Sequence, residues 1–154
     1  MSVGAFKRFA LLCALASAML LSGCTRFVVS SGGGASIDER KARAFADGFM
    51  DDFANDRRDA MYSKMEKEFH DITSREQFQG LIDTLHEQFG KLTRFEYARE
   101  EVGAKMLYTG DTKPMRKIVY QATTTKGAYP LSVTVVPNGN ELAVTDFLFT
   151  VEIQ

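Results

Sequence analysis

The chain has 154 residues, with 19 basic and 20 acidic side chains, a net charge of −1 and only two cysteines. Near-balanced charge excludes the concentrated basic stripe that nucleic-acid binding requires, and two cysteines exclude a disulfide-stapled scaffold. The length suits one hydrophobic core, for which twelve phenylalanines supply the bulk.

The first element is a leader. Lys7 and Arg8 precede an uncharged apolar stretch from Phe9 to Leu21, and the small residues Ser22 and Gly23 lead to Cys24. A basic start, a short apolar middle and small residues before a cut make a secretory signal. The stretch is shorter than the roughly 20 apolar residues of a membrane span. An ordinary cleaved signal and an uncleaved anchor are the alternatives, and neither gives Cys24 a reason to follow Leu-Ser-Gly.

Leu21-Ser22-Gly23-Cys24 resembles the lipobox of bacterial lipoproteins. The resemblance implies cleavage between Gly23 and Cys24, a diacylglyceryl group on the Cys24 thiol, and acylation of the new amine by a chain such as palmitate. Stable anchoring takes two membrane signals, and these lipids exceed that. Thr25 in place of an aspartate implies, by resemblance to enterobacterial lipoproteins, the outer membrane facing the periplasm rather than the inner membrane. Loss of Lys7 and Arg8 with the leader leaves 17 basic against 20 acidic side chains, a net −3. Cys13 leaves with the leader too, so the folded part holds no disulfide.

Residues 24–35 form the lipidated cysteine and its tether, which includes Ser30-Ser31-Gly32-Gly33-Gly34-Ala35. About ten such residues reach roughly 15–20 Å. No strand precedes the glycines and no Lys-Ser/Thr follows them, so they are not a phosphate loop.

Residues 36–154 form a single α+β domain. Ser36 with Glu39 has capping-box spacing, and Ala42, Phe45, Ala46, Phe49 and Phe53 recur at helical period. Arg43, Asp47 and Asp51 fall on the opposite side. A short second helix is expected from Asp56 through Tyr62, continuing loosely through Met65 and Phe69. Ser74 with Gln77 caps a third helix, whose apolar stripe is Phe78, Leu81, Ile82, Leu85 and Phe89. Gly90 ends it.

The period then changes. Phe95 and Tyr97 alternate in a strand running irregularly toward Leu107, and residues 110–114 make a turn. Ile118, Tyr120 and Ala122 mark a second strand; Leu131, Val133 and Val135 mark a third. Pro137-Asn138-Gly139-Asn140 is a hairpin turn. In the last strand Leu142 and Val144 share one parity, whereas Phe147, Phe149, Val151 and Ile153 share the other. A regular strand cannot switch faces, so a bulge or bend is expected near Thr145-Asp146. Helices followed by a meander give an α+β fold, with N-terminal helices packed on a curved antiparallel sheet of about four strands.

The order helix, short helix, helix ending in Gly90, and meander from Ile118 to Ile153 resembles the nuclear transport factor 2-like superfamily. That resemblance implies a cystatin-like cone, a bent sheet around the first helix, as in its small secreted domains of unknown function. Enzymes of the superfamily, such as ketosteroid isomerase and scytalone dehydratase, work inside the cone with tyrosine, aspartate or histidine. It implies that Tyr62, Tyr97, Tyr120 and Asp146 approach such a cavity; Phe147, Phe149 and Val151 line the concave face or belong to the core. No motif of those enzymes maps onto these positions, so no catalytic residue is carried over.

The residues themselves point the same way. His70 and His86 stand sixteen positions apart with no cysteine partner, which is no metal-ligand spacing. His70 suits a helix end, and His86 the margin of an apolar stripe. No serine lies in a strand–turn–helix elbow. The adjacent pairs Asp51-Asp52 and Glu100-Glu101 diverge and are expected on solvated faces, as are Arg40-Lys41 and Arg57-Arg58. Asp146 is expected as a bulge residue, and the tyrosines as core rings with hydroxyls at the rim.

Three readings follow. The first is a membrane-tethered, non-catalytic domain that binds an envelope protein or a small apolar ligand through Tyr62, Tyr97, Tyr120, Phe147 and Phe149, with no cofactor or metal. The second is a cone-pocket isomerase or dehydratase acting on a small apolar substrate. The third is a homodimer serving as an assembly spacer.

Overall fold

The computed structural model describes residues 37–106 and 112–150. The leader, Gly23, Cys24, the tether, Ser36, Leu107, Gly110-Asp111, Val151 and Ile153 lie outside the described residues. Helix α1 spans Glu39–Ala54, α2 Arg58–Ser63, α3 Lys67–Ile72 and α4 Arg75–Phe89. Strands β1 (Leu92–Met106), β2 (Thr112–Thr124), β3 (Gly127–Asn138) and β4 (Glu141–Phe149) follow, paired antiparallel in the order β1-β2-β3-β4. The α+β class and the four-stranded meander read from the sequence are present. Among the described residues, no helix is long and apolar enough to cross a membrane.

Helix α1 starts one cap later than expected. Asp38 is its N-cap and accepts from the Lys41 amide at 2.8 Å. Its inward stripe is Ala42, Ala46, Phe49, Met50 and Phe53, all buried. The Ser74–Gln77 capping box forms in both directions, and Gly90 ends α4 with φ 85°. A Cβ there would stand 2.8 Å from the Lys126 amide nitrogen.

Two helical expectations need correction. The second helix does not run on to Phe69. It stops at Ser63, and Met65 bridges Val144 in parallel, with Glu66 N–H donating to Val144 O and Val144 N–H to Lys64 O. Strand β4 thus captures this segment's backbone groups before α3 begins. In α4, Phe78 and Ile82 are buried, but Leu81 is 41% exposed. Only a narrow side of α4 meets the core.

Ile118, Tyr120, Leu131, Val133, Val135 and Phe147 form one face of the sheet, buried against α1. The expected bulge exists: Thr134 pairs with Asp146 and Val135 with Val144, leaving Thr145 extra. That one residue lets Val144 and Phe147 share the covered face. Residue Gly139 (φ 65°) opens a two-residue turn, as a type II′ hairpin requires. Of the residues expected in a turn at 110–114, Thr112, Lys113 and Pro114 instead pair with β1. Pro114 precedes the start of β3 pairing at Arg116, so its missing N–H costs no ladder bond there.

The opposite face curls. Lys105 on β1 bonds Thr145 on β4, although two strands lie between them. A flat sheet would separate those strands by about 14 Å, beyond the reach of both side chains. Met115, Val136 and Ala143 form a small second core on this face.

Candidate functional site

The covered face packs three of the aromatic residues named from the sequence, Tyr62, Phe147 and Phe149, among other aromatic rings. Phe147 makes edge contacts with Phe49 (5.2 Å), Phe53 (6.0 Å) and Phe78 (6.2 Å). Phe149 stacks on Phe89 at 4.4 Å. Tyr62 stacks on His70 at 4.6 Å, touches Phe78, and donates its hydroxyl to Thr73 O at 2.7 Å. Tyr62, Phe147 and Phe149 therefore belong to one aromatic chain running through Phe78 and Phe53.

Tyr97 and Tyr120 form a separate group, as cross-strand partners. Tyr120 is buried and donates to Asp47 Oδ1 at 2.7 Å. Burial, then the Asp47 carboxylate, pushes its phenol far above the ordinary value. Tyr97 lies under the Arg43 guanidinium, 3.8 Å from the ring centroid. Arg43 and Asp47 thus turn toward the sheet, not away from it as the helical period implied. The reason is that α1 crosses β1 and β2, whose aromatic rings reach its flank.

Several polar residues expected in solvent are structural ties. Asp52 is buried between Arg57 (2.7 Å) and Lys64. Burial raises its pKa, but hydrogen bonds and charge from Lys64 and Arg57 outweigh that and hold the carboxyl below its usual value. Glu100 pairs with half-buried Arg116 at 2.7 Å, and Arg116 also donates to Ile37 O. Arg58 reaches Asp56 and Asp83. His70 Nε2 meets Tyr62 O at 2.8 Å, a tie between helices. His86 stacks on Phe53, and burial lowers its pKa.

The candidate site lies on the curled face. One row crosses all four strands: Glu101, Lys117, Thr134 and Asp146. Lys117 faces Glu101 at 3.7 Å, and Thr134 donates to Asp146 Oδ1 at 2.9 Å. Burial pushes the Asp146 carboxyl above its usual value; the Thr134 hydrogen bond, Lys105 and Lys117 oppose that only in part. Beside the row, the Lys105 ammonium bonds both Glu66 and the Thr145 hydroxyl, and that hydroxyl also bonds Glu66. Glu66 is buried, and its Oε2 has no protein partner.

Chemically this is a polar patch on an apolar floor. It offers carboxylate acceptors and an aspartate that holds its proton more tightly than usual. Among the described residues no three His, Cys, Asp or Glu side chains converge as metal ligands. The Lys105 amine is engaged by Glu66, which lowers its worth as a nucleophile. The bulge at Thr145 was legible as a parity switch; Glu66 and Lys105 carried no local signal and were missed.

In comparisons with known proteins, no family model, no curated relative and no solved structure matches the chain.

Proposed function

We propose that this chain is a lipoprotein of the bacterial envelope, whose α+β domain binds a ligand or partner without transforming it. The observation that carries this reading is Leu21-Ser22-Gly23-Cys24 after a short uncharged apolar stretch. Thr25 supports the periplasmic side of the outer membrane, and the glycine-rich tether supports a domain standing just off the bilayer. The meander packed behind α1 supports a nuclear transport factor 2-like, cystatin-like cone.

The non-catalytic reading draws on the packing of Phe147. In that superfamily the enzymes keep substrate between helix and sheet. Here the corresponding space holds Phe147 among Phe49, Phe53 and Phe78. Binding therefore falls to surfaces that remain accessible, the curled face and the outer strand.

Mass spectrometry of the mature protein from membranes tests the anchor. The expected N-terminus is Cys24 carrying diacylglyceryl and an N-acyl chain, with Cys24→Ser losing both lipid mass and membrane attachment. An unmodified Cys24 thiol in the membrane-extracted protein overturns the reading.

A further inference from the structure

The two edges of the sheet are treated differently. The β4 edge is partly closed by Lys64–Glu66 through two backbone hydrogen bonds at Val144. Strand β1, fifteen residues long, pairs with β2 on one side only, and among the described residues no strand lies beyond it. An open edge is a template for another strand unless something blocks it. Tyr97 (38%), Val102 (52%) and Met106 (55%) are exposed along it.

Charge commonly protects such edges, but here the order of signs is informative. Ala98 is an extra residue between Tyr97 and Arg99 in the pairing with β2. Because of that bulge, Arg94, Glu96, Arg99 and Glu101 all lie on one face, opposite Thr123, Gln121, Val119 and Lys117. Reading outward from the Tyr97–Ala98 bond, one direction gives Glu96 then Arg94, and the other gives Arg99 then Glu101. A two-fold axis at that bond sets Glu96 against Arg99 of a second copy, and Arg94 against Glu101. All four cross-strand pairs are attractive. The bulge faces the partner's bulge, so the residue count on both sides stays equal.

We propose that the open edge of β1 binds a second copy of this chain, antiparallel, about a two-fold axis at Tyr97–Ala98. This deepens the dimeric reading of the sequence and stands whether or not Cys24 is lipidated. A ligand-bearing partner is not needed: the edge complements itself, as a two-fold interface must.

The test is sedimentation velocity of the full chain in detergent, with Arg94→Glu, Glu101→Arg and the double variant. Each single reversal turns two attractive pairs into repulsive ones and should weaken the dimer on the order of tenfold. The double variant should recover wild-type affinity to within about threefold. Recovery cannot come from within one chain. The pairs Arg94–Glu96 and Arg99–Glu101 along each strand remain broken in the double variant. Circular dichroism checks folding, and Glu96→Arg with Arg99→Glu repeats the cycle at the inner pair. A monomer at all concentrations overturns the proposal. So does a dimer indifferent to these reversals, or one that dissociates only on Leu148→Arg, which would place the contact on the sheet face.

Discussion

Asp52 and Asp146 are both withdrawn from water, yet their surroundings drive them in opposite directions. Asp52, on the helical side, has Arg57 and Lys64 in direct contact and keeps its charge more readily than a free carboxyl. Asp146, on the curled face, has a hydroxyl in contact and its lysines farther away, so burial dominates and it keeps its proton more readily. The lesson is that desolvation acts on both, and only a cation within bonding distance reverses it. The helical region is thus built as fixed structure, and the curled face as a polar surface with adjustable charge.

That contrast can be broken most forcefully at two neighbouring residues of β4. Phe147 is 8% exposed among three phenylalanines, whereas Leu148 is 56% exposed on the other face. Phe147→Ala should cost about 3–5 kcal/mol in urea unfolding, and Leu148→Ala less than about 0.5 kcal/mol. Comparable losses would mean that the curled face carries as much of the stability as the helix-covered one.

The next effect concerns the Lys105–Glu66 pair. Lys105→Met leaves the buried Glu66 carboxylate without its cation and should cost about 3 kcal/mol. Adding Glu66→Gln should return most of that loss, since the penalty is an unpaired charge rather than a missing contact. If the double variant is as unstable as the single one in the same unfolding assay, Lys105 acts through packing instead.

The smallest effects sharpen the aspartate comparison through pH. The folded pKa of Asp52 is lowered, so its contribution is present above the unfolded value of 3.8 and is lost as pH falls through the folded value. Asp52→Asn should therefore cost about 1.5–3 kcal/mol at neutral pH, with the gap to wild type closing in acid. The folded pKa of Asp146 is raised, so its contribution is complete below 3.8 and is lost as pH rises through the folded value. Asp146→Asn should gain on wild type as pH rises through that range. Parallel pH profiles for the two variants would refute the contrast.

Much of the fold was legible because apolar spacing is a local property. The stripe Ala42–Phe53, the Ser74–Gln77 box, Gly90 and the parity switch at Thr145-Asp146 each appear within a few residues, and each has its counterpart in the structure. The break after Ser63 was not legible. It depends on β4 offering backbone partners to Lys64 and Glu66 from almost eighty positions away.

The amino-acid sequence alone determined the α+β order, the cap and the stop of α4, and the bulge that keeps Val144 and Phe147 on one face. Periodicity, capping and turn chemistry act between neighbours along the chain. Only the tertiary structure decided that Tyr62, Phe147 and Phe149 join one aromatic cluster, that Asp52 and Glu100 are tied rather than solvated, and that Glu66, Lys105 and Thr145 meet. Those outcomes follow from how far the sheet curls and where the helices cross it, which is fixed by contacts between segments distant in the chain.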